Sequence, residues 1–160
     1  MNLLHNNTLG IDIGSTTVKI AVLDSEQHIL FTDYERHYAN IQETLALLLS
    51  RAKEKLGEMT ISPSITGSGG LTLSGHLNVP FTQEVVAVAT ALQDYAPQTD
   101  VAIELGGEDA KIIYFTGGID QRMNGICAGG TGSFIDQMAS LLQTDAAGLN
   151  EYAKNYQMIY

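Results

Sequence analysis

Two stretches of this 160-residue chain carry side chains suited to phosphate chemistry. "GIDIGSTTVK", Gly10 to Lys19, sets a carboxylate, Asp12, two residues ahead of Gly14, followed by the hydroxyls of Ser15, Thr16 and Thr17 and by Lys19. "AIELGGEDAK", Ala102 to Lys111, repeats that outline with Glu104, Gly106, Gly107, Glu108 and Lys111. Asp12 and Glu104, Gly14 and Gly106, and Lys19 and Lys111 are each 92 positions apart (104 − 12). A tight turn of glycine and hydroxyl residues gathers N–H and O–H donors within a few ångströms, which is what phosphate oxygens require. Lysine adds positive charge on the next strand. A carboxylate at a strand end suits Mg²⁺, which keeps most of its waters and takes few protein ligands. Two such hairpins facing each other would clamp a nucleoside triphosphate and its metal, and a ligand on a pseudo-twofold axis would explain the duplication.

Neither a G-x-x-x-x-G-K-[ST] loop nor a G-x-G-x-x-G fingerprint occurs, so the commonest nucleotide folds are not supported. Lys and Arg total 8 against 18 Asp and Glu, a net charge of −10 whose field repels polyanions and argues against nucleic acid as a partner. A small anion held by a local loop is compatible with that charge. No apolar run is long enough to cross a bilayer, and "MNLLHNNT" lacks the pattern of a secretory signal, which sets the expectation of a cytoplasmic protein. The single cysteine, Cys127, allows no intrachain disulfide and no self-contained cysteine metal site. His5, His28, His37 and His76 show no metal-ligand spacing and receive no role.

The elements that must position these residues follow from periodicity. Leu9 to Ile13, Val18 to Leu23 and His28 to Glu35 read as strands of a β-meander. Asn40 opens a helix with Glu43 in capping-box spacing; Ile41, Leu45, Leu48, Leu49, Ala52 and Leu56 form its apolar face, and Gly57 stops it. "MTISPSIT" reads as a buried strand in which Pro63 demands an edge or a bulge. Gly67 to Gly70 reads as a loop, and Thr82 to Tyr95 as a helix with Val85, Val88, Ala89 and Leu92 inward. Val101 to Leu105, Ala110 to Phe115 and Gln121 to Asn124 form a second meander that turns at Gly117-Gly118. "GICAGGTG" then opens a helix with Ser133 and Asp136 in capping-box spacing and a stripe of Phe134, Ile135, Met138, Leu141 and Leu142. A last amphipathic segment carries Leu149, Tyr152, Ala153 and Tyr156. The boundary falls near residue 97, giving a nearly complete first lobe over 1–97 and the start of a second over 98–160. Three strands and one or two helices do not cover both faces of a sheet, so the second lobe reads as truncated and the chain as a piece of a longer protein.

The acid-x-Gly-Ser/Thr hairpin followed by an acid-x-Gly-Gly hairpin resembles the two phosphate motifs of the actin, sugar-kinase and chaperone ATPase superfamily. "GIDIGSTTVK", "TGSGG", "QEVVAVATAL", "IELGGEDAKII" and "MNGICAGGTGSFIDQMASLL" together resemble the BadF/BadG/BcrA/BcrD activator ATPases of 2-hydroxyacyl-CoA dehydratases. The resemblance implies an α/β actin-like (ribonuclease H-like) fold that binds ATP or ADP with Mg²⁺. It also implies a homodimer sharing one [4Fe-4S] cluster, which couples ATP hydrolysis to low-potential electron transfer to a dehydratase or acyl-CoA reductase. Under it Asp12 and Glu104 are catalytic, with Asp12 reaching Mg²⁺ through water. Gly14, Ser15, Thr16, Thr17, Lys19, Gly106, Gly107, Glu108, Gly130, Thr131 and Gly132 contact cofactor. Cys127 matches the first of two cluster cysteines, placed where a helix N-terminus stabilises thiolate.

The sequence also departs from that family. The second cluster cysteine has no counterpart, Glu104 stands where the superfamily often has aspartate, and Val88 where shorter activators carry histidine. Two thiolates from a dimer fall short of the four a cubane needs, so this chain alone is expected to hold no stable cluster and to bind nucleotide weakly or not at all. A sugar or carboxylate kinase of the same superfamily is the alternative. That alternative needs a carboxylate base that cannot be singled out and leaves Cys127 without a purpose. A non-catalytic assembly module is compatible with either parent. Taken alone, Lys111 reads as a solvated strand residue, and Gly67 to Gly70 as either a plain loop or a wall of the nucleotide cleft.

Overall fold

Alternation of β-branched residues builds the first sheet, because such side chains pack well on a pleated, half-buried surface. In the computed structural model, which describes residues 7–125 and 130–159, β1 (Asn7–Ile13), β2 (Thr17–Leu23) and β3 (Ile29–Arg36) form the antiparallel meander. Leu9, Ile11 and Ile13 of β1 and Val18, Ile20 and Val22 of β2 share one face, each at most 4% exposed. α1 (Ile41–Leu56) covers that face with Leu45, Leu48 and Ala52. It also makes the crossover that lets β4 (Ile61–Thr66) lie parallel to β1, in the order β3-β2-β1-β4. Arg51 of α1 reaches Asp33 and Glu35 of β3, each at 3.2 Å. Pro63 sits on the edge strand, as its missing N–H requires. Only the end of β4 is buried, at Ile65, whereas Ile61 is exposed.

Several helix ends differ from expectation for local reasons. Asn40 and Glu43 bond side chain to side chain, and Asn40 caps α1 through its carbonyl, which accepts from the Thr44 N–H at 3.2 Å. Gly57 closes α1 at φ 77°, its N–H donating to Lys53 O at 2.8 Å. The Gly67 to Gly70 loop ends in an unforeseen helix, α2 (Gly70–Leu77), seated on Ile65: a Cβ on Gly70 would lie 2.7 Å from Ile65 Cγ2. α3 runs Glu84–Tyr95 and does not start at Thr82, because the Thr82 N–H donates to Ile65 O and Ile65 N–H to Pro80 O, which keeps residues 80–82 extended beside β4. Val85, Val88, Ala89 and Leu92 are the shielded side of α3.

The chain divides into two compact units, one ending at Gln98 and the other beginning at Thr99. In the second, β5 (Val101–Leu105), β6 (Ala110–Tyr114) and β7 (Asp120–Met123) form an antiparallel sheet in sequence order, and Gly117 and Gly118 turn the chain at φ 82° and 123°. α4 (Gly132–Leu141) buries Ala139, with Ile113 of β6 fully enclosed. Its N-cap is Thr131, not Ser133, and the far end of its apolar stripe, Leu141 and Leu142, is exposed. α5 (Ala146–Ala153) starts at Asp145, whose Oδ1 accepts from the Gly148 N–H at 2.8 Å; it buries no residue, and Tyr156 lies beyond it. No helix among the described residues is long and apolar enough to cross a membrane.

Candidate functional site

The first hairpin brings its predicted residues together. Asp12 and Lys19 are cross-strand partners on β1 and β2, with Lys19 Nζ 2.7 Å from Asp12 Oδ2. The Gly14 N–H donates to Thr17 O at 2.9 Å and closes a turn that carries Ser15 and Thr16 at its tip. His37, which spacing alone gave no role, lies under this turn at 8% exposure. Its Nε2 is 3.2 Å from Gly14 O and its backbone N–H donates to Thr16 O at 3.2 Å. Among the described residues the N–H groups of Ser15 and Thr16 have no acceptor.

The "TGSGG" segment backs the same carboxylate. Thr66 is the parallel partner of Asp12 on β4, and its Oγ1 is buried without a hydrogen-bond partner. Gly67 stands at φ +95°, where a Cβ would lie 2.3 Å from Ile13 O and 2.6 Å from Asp12 Oδ1. Glycine is required there on both counts. The Gly69 N–H donates to Ile13 O at 2.9 Å. Asp12, Lys19 and Thr66 border a cavity of about 1050 Å³ on the sheet face opposite the core, spanned by Thr90 and Asp94 of α3.

The second hairpin repeats this geometry. Glu104 and Lys111 are cross-strand partners, with Lys111 Nζ 3.5 Å from Glu104 Oε1, and the Gly106 N–H donates to Asp109 O at 2.7 Å. Lys111 is not a solvated strand residue: its side chain is 11% exposed, drawn inward by Glu104. Glu104 Oε2 is buried and has no partner. Glu108 is exposed in the turn. The carbonyls of Gly106 and Gly107 accept from the N–H groups of Gly132 at 2.8 Å and Ser133 at 2.9 Å, so the start of α4 is stitched to the hairpin. Thr131 is buried beside it, and Gly130 adopts φ +102°. The Gly132 N–H is thus engaged by protein and not free for a cofactor. Cys127 lies outside the described residues.

Among the described residues no three His, Cys, Asp or Glu side chains converge to hold a bare metal ion. In the first unit Asp12, with the unpartnered Thr66 hydroxyl beside it, suits Mg²⁺ held through its own waters; in the second, Glu104 keeps a buried oxygen without a partner. A cubane cluster does not fit this chain, whose one cysteine supplies a single thiolate per copy.

Paired units of this kind, each opening on a carboxylate-glycine hairpin, define the actin-like ATPase fold, and comparison with solved structures agrees. The 2-hydroxyisocaproyl-CoA dehydratase activator of Clostridium difficile with bound ADPNP superposes at TM-score 0.82 and 27% identity, over 96% of this chain and 59% of that one. The Acidaminococcus fermentans (R)-2-hydroxyglutaryl-CoA dehydratase component A superposes at TM-score 0.79 and 27% identity, over 97% and 61%. In sequence, the activating ATPase of that organism's dehydratase is 30% identical over 149 residues, 90% of this chain and 56% of the relative. Residues 9–156 match the BadF/BadG/BcrA/BcrD ATPase family, and the chain belongs to it. It spans somewhat more than half the length of these relatives.

Proposed function

We propose that this chain is the nucleotide-handling part of an ATP-dependent activator of a 2-hydroxyacyl-CoA dehydratase or related acyl-CoA reductase. The observation that carries the proposal is the doubled hairpin, in which a carboxylate and a lysine share one cross-strand register and one closing turn bond in each unit. The bound ADPNP of the C. difficile relative, an ATP whose last bridging oxygen is replaced by nitrogen, supports nucleotide as ligand. The Ser15 and Thr16 N–H groups and the Ser15, Thr16 and Thr17 hydroxyls bind phosphate oxygens, with the Gly14 turn holding them in place. Lys19 neutralises phosphate charge. Mg²⁺, when bound, neutralises the charge that develops on the phosphates. Asp12 orients the hydrated ion. Glu104, with its unpartnered Oε2, accepts a proton from the attacking water as the water oxygen bonds to the γ-phosphorus and the bond from that phosphorus to ADP breaks. Gly106, Gly107 and Glu108 line the second phosphate turn. Gly132 and Ser133 tie that turn to the start of α4, with Thr131 and Gly130 just ahead of it in the chain, so nucleotide state has a route from the turn to the helix that follows Cys127 in sequence.

The same reading makes the activator a cytoplasmic homodimer serving a dehydratase; a [4Fe-4S] cluster, if held between copies, would take Cys127 of each as a ligand and would supply low-potential electron transfer. Two copies of Cys127 supply half of the thiolates a cubane needs, so this chain by itself does not hold the cluster and is inactive alone. Anaerobic reconstitution of the full-length protein with iron and sulfide tests the proposal. A brown chromophore lost in Cys127→Ser is expected. Absence of the chromophore, or its persistence in that variant, overturns the electron-transfer role, and ATP consumption that requires a sugar would make the protein a kinase.

A further inference from the structure

Resting on the nucleotide role proposed above, we infer that His37 is a positioning residue of the first phosphate hairpin and acts as a neutral imidazole with its proton on Nε2. The Ala39 N–H donates to His37 Nδ1 at 3.0 Å, and a ring nitrogen that accepts carries no proton. The remaining proton of the neutral ring then sits on Nε2, which donates to Gly14 O at 3.2 Å. The His37 backbone N–H takes Thr16 O, and the Gly14 N–H takes Thr17 O. Three carbonyls of the turn thereby have their donors within the protein, while the Ser15 and Thr16 N–H groups have no acceptor among the described residues.

The backbone after His37 is strained to achieve this. Tyr38 and Ala39 stand at φ 43° and 66°, left-handed values that cost non-glycine residues free energy and persist only where the surroundings impose them. Core packing does not impose them, since Tyr38 is 85% exposed. What the two residues accomplish is to fold the Ala39 N–H back onto Nδ1 and the Asn40 N–H onto His37 O, at 2.6 Å. The second hairpin meets the same need by other means, its Gly106 and Gly107 carbonyls being taken by the first N–H groups of α4. A side chain does for one turn what a helix end does for the other.

Two measurements on the full-length protein test this. Long-range ¹H–¹⁵N correlation of the unmutated protein should place the His37 proton on Nε2. Titration with Mg²⁺-ATP should show His37→Leu weakened about tenfold, the loss of one to two hydrogen bonds, and His37→Gln, whose amide can donate to Gly14 O, restored to within about threefold. Far-UV circular dichroism of His37→Leu should be unchanged. A proton on Nδ1, a doubly protonated ring at neutral pH, wild-type affinity in His37→Leu, or equal weakness of the Gln and Leu variants overturns the role. If His37→Leu does not fold, the tautomer and the Gln variant decide. Failure of the unmutated protein to bind Mg²⁺-ATP would remove the nucleotide role itself and this one with it, whereas equal binding by wild type and His37→Leu removes only the role of His37.

Discussion

Asp12 and Lys19 face each other across β1 and β2 with Nζ 2.7 Å from Oδ2, and both side chains remain substantially exposed, at 33% and 50%. An exposed pair of this kind contributes about 0–1 kcal/mol, so the fold does not depend on it. Asp12→Asn should therefore leave urea unfolding within about 1 kcal/mol of wild type while abolishing ATP hydrolysis in the full-length protein. Phosphate release that survives the substitution would take Asp12 out of the metal and water role.

Glu104 and Lys111 share that register but differ in burial. Lys111→Met removes the partner of a carboxylate whose other oxygen is already unsatisfied, and should cost about 2 kcal/mol in denaturant unfolding. Lys19→Met should cost less than about 1 kcal/mol. Glu104→Gln should abolish ATP turnover with the fold retained. Equal costs for the two lysine variants would mean that burial does not distinguish the pairs.

Gly67 offers a sharper contrast with another glycine of positive φ. Gly67→Ala must both hold φ +95° and push aside Ile13 O and Asp12 Oδ1, whereas Gly117→Ala, at φ +82°, meets nothing within 4 Å. The first should cost more than about 2 kcal/mol and eliminate hydrolysis; the second should cost about 1 kcal/mol and leave it unchanged. Urea unfolding of both variants, with phosphate release from each, checks the pair.

Asp24 gives a pH dependence. Its Oδ1 accepts from the backbone N–H groups of Glu26 at 2.8 Å and His28 at 2.9 Å, closing the β2–β3 turn. The bond from His28 is the main cause that holds its carboxyl below the usual 3.8, with the Glu26 bond adding to it. A carboxyl depressed in the folded state stabilises above its unfolded value, and that contribution disappears as pH falls through the folded one. Asp24→Asn should lower the melting temperature at about pH 7, with the difference from wild type vanishing toward about pH 2. A constant difference across that range would assign the effect to packing and not to charge.

Both hairpins were legible in the sequence because their chemistry is local: Asp12 to Lys19 and Glu104 to Lys111 each lie within one strand–turn–strand, and alternation fixed which way their side chains point. α2 was not, because Gly69 and Gly70 read as a break, and only the seat on Ile65 and Phe81 makes a glycine there favour a helix. The start of α4 moved to Thr131 for a similar reason: the Gly132 and Ser133 N–H groups find acceptors on another element, the hairpin at Gly106 and Gly107. His37 was silent in sequence since Gly14 lies 23 residues before it and the two meet only after β3 has returned along β2. The burial of Lys111 was likewise a property of the folded sheet and not of its strand.

The two N–H···O bonds from Gly132 and Ser133 to Gly106 and Gly107 join the second turn directly to the first residues of α4. α4 is a 10-residue rod, about 15 Å long at 1.5 Å per residue, bonded to that turn at its start and packed through Ala139 near its end. A hairpin a few residues long thus gains reach that its own size would deny it.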